Sequence, residues 1–387
     1  MAVMRVERQQ TGSSLVSRPQ NHAWQRFDIQ LAFYAAALGI IGLLVAYTNS
    51  AGAALAPGST FTRALMWFAL GVVGFTVAAA FDYRWLRTFS WLIYLGTLAG
   101  LIATLVIGVT INGAQRWISI AGLQFQFSEL AKVLMIAVLA SFLAARKDKL
   151  KSIWTIVGAG LLAIPAFILV LIQPDLGTSL VFLAILVGML FMSGASLKWM
   201  TLGLVAVLGV MPIIWSQLQD YQRRRVLSFL DPTSDQTGAG WQALQSQIAV
   251  GSGGIFGKGL TNGSQSGSSF LPVQSTDFAF AVLLEELGFV GGIVVLLLFI
   301  GLIWRILIIG WRSESVFGVA FASGVASMIV FQMLVNAGMV AGIMPVTGIP
   351  LPFITHGGAS LTSIAIALGL MQSVNIRQSA EARAAPW

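Results

Sequence analysis

Cysteine is absent from this 387-residue chain, which excludes disulfides and thiolate metal sites. Histidine is nearly absent: only His22 and His356 occur, so no histidine-built metal site is expected, while a carboxylate-held divalent ion stays open. Charge is scarce too. Only 9% of residues are charged, against roughly a quarter in a soluble domain, and 57% are hydrophobic. Mean hydropathy is +0.85. These shortages exclude an ordinary soluble domain and define a polytopic membrane protein. The net charge of +8 calls for no nucleic-acid partner, because most Lys and Arg sit in short loops on one side of the inferred bundle. The first thirty residues, with Arg5, Arg8, Arg18 and Arg26, lack the apolar core and small-residue cleavage site of a signal peptide. The first apolar run is therefore expected to remain as an anchor.

A bilayer-spanning helix needs about twenty mainly apolar residues. On that criterion the chain reads as all-α with ten spans, near 30–48, 64–81, 89–111, 127–144, 152–172, 177–194, 198–215, 287–307, 316–342 and 357–375. Glycine-rich runs such as LGVVGF and GLVAVLGV suit close helix contacts in lipid. Short loops on one side hold Arg84, Arg87, Arg146, Lys147, Lys149, Lys151, Lys198, Arg305 and Arg312, whereas the other side's hold only Arg63 and Arg116. The positive-inside rule then places both termini in the cytoplasm. Residues 1–29 read as a polar cytoplasmic tail, 30–376 as one ten-helix membrane domain and 377–387 as a second cytoplasmic tail. A single large extracytoplasmic loop, about 216–276, separates helices 7 and 8. A loop this long far exceeds the usual few-residue connection and is expected to carry function.

The loop's glycines fit no nucleotide motif. A P-loop fails because Ser252 stands where Gly is needed and Gly259 follows Lys258; G-x-G-x-x-G fails at Phe256; GSQSG centres on Gln265 rather than Ser. They are expected to shape turns in an irregular loop folded back into the protein. Asp277, where the loop meets the next apolar run, is the strongest candidate. Segment 277–286 is surplus to a span starting near Leu287 and could line a cavity, because ionisable residues at membrane depth are costly and point to function. A solvated helix cap is the plainer alternative. As helix, Glu285 and Glu286 would lie about 12 Å from it along the axis.

Glu129 and Lys132, three apart, share a helix face: either a neutralising buried pair or a polar site continuous with Arg116 and Trp117. Asp175, in a Pro-Asp turn, reads as a helix cap. Between the last two spans, NAGMVAGIMPVTGIPLPFITHGGASL carries too many prolines and glycines for continuous helix. Broken backbone there must be buried in protein or line a cavity, where Asn336, Thr347, Thr355 and Ser360 could bind a polar ligand. His356 reads as a structural donor.

The motifs NGAQRWI, FQFSELAK, QPDLGTSL, RRRVLSFLDP, WQALQSQIAVGSGGIFGKGL, FLPVQSTDFAFAVLLEELG and NAGMVAGIMPVTGIPLPFITHGG occur in this order. Together they resemble the SEDS family of cell-wall polymerases, RodA, FtsW and SpoVE, over nearly the whole chain after about residue 30; PVTGIPLPF and GAQRW look most like RodA. The resemblance implies a ten-helix peptidoglycan glycosyltransferase of the bacterial cytoplasmic membrane that polymerises lipid II into glycan strands during elongation. It implies a catalytic aspartate in the TDF motif, here Asp277, and carries the family's Arg-Trp pair onto Arg116 and Trp117 and its Glu and Lys onto Glu129 and Lys132. Lys258, Asn336, Thr347 and Ser360 are further candidate substrate-binding residues. The implied partners are a class B penicillin-binding transpeptidase and other elongation-complex membrane proteins, with Mg²⁺ or Mn²⁺ as a candidate cofactor. Phe127, Val273, Ser275 and His356 depart from the usual pattern without removing the carboxylate. Two rivals stay open: a flippase for a lipid-linked precursor, needing Glu129 and Lys132 rather than Asp277, and a non-catalytic scaffold tolerant of polar substitutions.

Overall fold

The computed structural model describes residues 26–50, 54–56, 58–111, 114–120, 123–217, 223, 227–229, 231, 238–263, 278–355 and 357–384. Its helices are α1 (Ile29–Thr48), α2 (Thr60–Ala80), a short α3 (Arg84–Thr88), α4 (Ser90–Ile107), α5 (Phe127–Ala145), α6 (Ile153–Ile172), α7 (Leu176–Met192), α8 (Leu197–Gln217), α9 (Ala239–Gly253), α10 (Ala279–Trp311), α11 (Val316–Val340) and α12 (Gly358–Ala384). Among the described residues, eight are long and apolar enough to cross a membrane. The apolar helix α7 and the apolar start of α8, Leu197–Ala206, bring the spans to the ten expected.

Four boundaries differ from expectation. The third span stops at Ile107, and Val109–Ile111 forms the first of three short antiparallel strands, β1, with β2 (Ala114–Ile120) and β3 (Leu123–Phe125). The large loop is not wholly irregular, since it contains α9. Helix α10 begins at Ala279 rather than near Leu287, and α12 runs on to Ala384 through most of the expected tail. Within 279–286, Phe280, Val282, Leu283, Glu285 and Glu286 are all buried.

Polarity decides which helices are central. In α5 and α12, 78% of the spanning window is buried, and in α11 72%, against 17% in α2 and α4. The central helices carry Glu129 and Lys132, Gln332 and Asn336, and Gln372 and Ser373, all buried. Lipid solvates leucine as well as protein does, so helices compete for the interior through small and polar residues. Close contact follows: Gly324 of α11 sits where a Cβ would press on Ile136 of α5 and Met189 of α7.

The glycines of GSGGIFGKGL serve turning and approach alike: Gly254, Gly257 and Gly259 have positive φ, and Gly253 and Gly257 lie against the backbone of α10. Helix α10 is broken at Gly288 (φ 68°, ψ −168°). The chain after α9 fills the gap in its backbone ladder: Lys258 N–H donates to Glu285 O (3.0 Å) and Gly259 N–H to Glu286 O (3.0 Å), while Phe289 N–H donates to Gly254 O (3.0 Å) and Val290 N–H to Ile255 O (3.1 Å). Within a membrane protein such groups must find partners inside the fold. Gly257, at φ 79°, has no room for a Cβ, which would overlap the Glu286 carbonyl oxygen. Gly257→Ala is therefore expected to destabilise the protein by about 1–3 kcal/mol, read as a lower melting temperature in detergent; an unchanged melting point would mean that this staple is not formed.

Alternation of the ten spans places the strands, the α6–α7 turn, α9 and segment 341–357 at one end of the bundle. Contacts agree. Ser246 of α9 donates to Val340 O (3.2 Å), and Gly177 of α7 packs on the Thr347 carbonyl, where a Cβ would lie 2.7 Å from the oxygen.

Candidate active site

At this end β2 pairs with both neighbours, Val109 opposite Trp117 and Ile118 opposite Phe125. Successive side chains of a strand point to opposite faces, so Arg116 and Trp117 diverge. Arg116 reaches across to the α6–α7 turn, Nη1 lying 3.4 Å from Asp175 Oδ2. Asp175 is indeed the N-cap of α7: its carboxylate accepts from Thr178 N–H (3.1 Å) and Thr178 Oγ1 (2.9 Å). It also accepts from Gln126 Nε2 (2.9 Å), which in turn donates to Ser128 Oγ (3.0 Å). The cap reading therefore holds but is incomplete, because the same carboxylate joins three separate segments.

One turn further along α5, Lys132 Nζ donates to both oxygens of Glu129, at 2.9 Å each. Both residues are almost fully buried, at 2% and 1% exposure. Arg116, Asp175, Glu129 and Lys132 sum to zero formal charge. Lys132 can meet an anion only if its pair opens, whereas the Arg116 side chain is 26% exposed and accessible. Trp117 is half-buried beside it in the strand. Arg116→Gln is expected to leave the fold intact, since Asp175 keeps its Gln126 and Thr178 donors, but to weaken binding of an anion at this end roughly tenfold. An anion affinity equal to wild type would show that Arg116 binds none here.

The remaining candidates divide. Asn336 Nδ2 donates to Ile349 O (2.9 Å), and the Gly177–Thr347 contact sets this segment against the start of α7, next to Asp175. Ser360 is buried in the first turn of α12, and its hydroxyl lacks a partner among the described residues. Thr355 Oγ1 is already engaged, accepting from Leu351 N–H (2.8 Å). Of segment 341–357, Val346, Ile349, Leu351, Phe353 and Ile354 are buried in protein, whereas Ile343 is exposed. Lys258 forms a second cluster on α10, its Nζ 2.9 Å from Oε1 of the fully buried Glu285. Glu286 Oε1 accepts from Thr261 N–H (3.3 Å). Asp277, like Val273, Ser275, Arg224, Arg225 and His356, lies outside the described residues; Phe278, which follows it, is buried and caps α10.

Sequence reading missed Gln126, the Arg116–Asp175 pair and the Glu285 partner of Lys258. The available signal was topological: ten alternating spans put Arg116 and Asp175 at one end. For Mg²⁺ or Mn²⁺ the donors fit poorly. Glu129, Asp175 and Glu285 are each paired with a cation, and no three potential ligands converge among the described residues.

Ten apolar helices around buried ion pairs, with a charged and glycine-strapped site at one end, define a multi-pass membrane protein. A sequence model described as "Cell cycle protein", for FtsW, RodA and SpoVE, matches residues 29–380. Stage V sporulation protein E of Bacillus subtilis is 37% identical over 356 residues, 90% of this chain and 96% of that protein. The peptidoglycan glycosyltransferase MrdB of Escherichia coli is 40% identical over 312 residues, 79% of this chain and 83% of that protein. A chain solved in a peptidoglycan synthase complex that coordinates polymerization and crosslinking superimposes with a TM-score of 0.79 at 33% identity, covering 92% of this chain and 99% of that one. The chain belongs to the FtsW–RodA–SpoVE family, the SEDS proteins, and is a bacterial membrane protein.

Proposed function

We propose that this chain, a peptidoglycan glycosyltransferase, polymerises lipid II into glycan strands during cell-wall elongation, with Asp277 as general base. The observation that carries this reading is the 40% identity to a named peptidoglycan glycosyltransferase over most of the chain, with polar and charged candidates gathered at one end of the bundle. That end faces outward and both termini are cytoplasmic, because Arg84, Arg87, Lys147, Lys149, Lys151, Lys198, Arg305 and Arg312 mark the other end.

Polymerisation joins a sugar hydroxyl of one chain to the anomeric carbon of another, and the carbon–oxygen bond to the lipid pyrophosphate breaks. The hydroxyl is a poor nucleophile, so the Asp277 carboxylate accepts its proton as the new bond forms. Pyrophosphate needs neutralising rather than protonating. Arg116 and Lys258, both part-exposed, are the cations placed for it. One carboxylate acting as base, with no sugar ester on the enzyme, corresponds to inversion. The similar solved complex, which coordinates polymerization and crosslinking, supports a class B transpeptidase as partner.

The buried Glu129–Lys132 pair also suits a flippase for lipid-linked precursor, since ionisable groups at this depth often mark transport paths. The deciding experiment compares wild type and Asp277→Asn, with the transpeptidase, in polymerisation of labelled lipid II and in lipid II translocation across vesicles. Polymerisation lost in the mutant alone supports the base. Translocation without polymerisation by either form would select the flippase.

A further inference from the structure

The end of the molecule opposite the active site carries a second charged feature. Between α5 and α6 the chain reads RKDKLKS, and Arg146, Lys147, Asp148, Lys149, Lys151 and Ser152 line an open depression of about 1100 Å³. Ser193 and Gly194, from the turn after α7, form part of the lining. Lys147, Lys149 and Lys151 are exposed and make no ion pair among the described residues, though Asp148 lies between them. Arg146, by contrast, is fixed: its guanidinium sits 4.4 Å from the Phe142 ring centre, and Nη1 donates to Trp154 O (3.2 Å). The loop is held too, with Thr155 Oγ1 donating to Lys149 O (2.7 Å). Two further facts point to a ligand. The Ser193 hydroxyl is buried without a partner among the described residues. Trp154, in the first turn of α6, is 74% exposed, and tryptophan so placed marks the headgroup level of a bilayer.

We propose that this depression binds the phosphate headgroup of an anionic phospholipid from the adjacent leaflet. Four cations against one carboxylate attract a phosphodiester, Ser193 offers a hydroxyl donor to its oxygens, and the Trp154 ring packs beside the acyl–glycerol boundary. The depression opens at headgroup level, next to the exposed apolar side chains Trp154, Phe191 and Met192, which is where a membrane lipid, rather than a soluble anion, presents its phosphate. Each Lys near an anionic surface contributes roughly fivefold in affinity.

The full chain, reconstituted in vesicles with equal phosphatidylglycerol and phosphatidylcholine, is extracted gently, and retained lipids are counted by native mass spectrometry. Wild type is expected to retain phosphatidylglycerol at least about tenfold over phosphatidylcholine. Lys147→Gln, Lys149→Gln and Lys151→Gln together should remove that preference. Arg87→Gln, Lys198→Gln and Arg312→Gln together, equal in charge loss at the same end, should not. Equal loss in both triple variants would mean diffuse surface charge and overturn the site, as would an unchanged preference in the first. Displacement of the lipid by millimolar inorganic phosphate would show a soluble-anion site and also overturn the proposal. If the first triple variant folds poorly, Lys149→Glu alone should give a partial loss, and wild-type retention there would count against the site.

Discussion

Asp277→Asn is expected to lower the rate of lipid II polymerisation by about 10²–10⁴-fold, the usual contribution of a positioned general base. Asn keeps the shape and the hydrogen-bonding reach of the side chain but cannot take the proton from the attacking hydroxyl. The leaving pyrophosphate needs no protonation, so no other group has to change role and the whole deficit falls on the nucleophile. Asp277 immediately precedes Phe278, which is buried and caps α10, and Ala279 to Leu283 are buried behind it. The chain is thus anchored from Phe278 onward. The measurement is single-turnover strand formation at saturating lipid II, with thermal unfolding alongside. An Asn variant that folds normally and polymerises within about threefold of wild type would remove Asp277 from the base role.

Lys132→Met and Glu129→Gln, made singly, are expected to destabilise the protein by about 3–5 kcal/mol each, because each leaves one charge buried and uncompensated. Together they should recover most of that loss. The double variant leaves neutral groups of similar volume, and replacing a whole buried pair is often neutral for stability. A double-mutant cycle on melting temperature measures this coupling. Additive single losses would mean that the pair is wet or does not form. Activity of the double variant then carries separate information. If it folds like wild type yet makes no glycan, the pair opens during the reaction and contacts substrate. If it folds and polymerises normally, the pair is structural, and the case for a transport path through it ends.

The ten spans were legible because a span is a local property. Lipid offers backbone amides no partner, so each crossing needs about twenty apolar residues in a row, and those runs stand in the sequence. Lys and Arg in the short loops marked the two ends in the same direct way. The proline-rich segment 341–357 also announced itself, since its composition forbids continuous helix, and Val346, Ile349, Leu351, Phe353 and Ile354 within it are buried. Glu129 and Lys132, three apart on one helix, could be paired on paper.

What the tertiary structure alone decided were relations between distant segments. Apolar character does not tell a central helix from a lipid-facing one when lipid and protein interior are equally apolar. The central places of α5, α11 and α12 emerge only once their polar residues have found partners or enclosure. Asp175 looked like a cap, and is one, but its second partner Arg116 comes from a strand two helices earlier. The residues of 277–286 read as surplus to the span and free to line a cavity. From Ala279 on they became buried helix because the chain after α9, with glycine at 253 and 257, lies close enough to complete the backbone of α10 around Gly288. The sequence by itself thus determined how many times this chain crosses the membrane and which end is basic. Which charges meet at the active end was decided by packing, because a buried charge is tolerated only where the fold brings its partner to it.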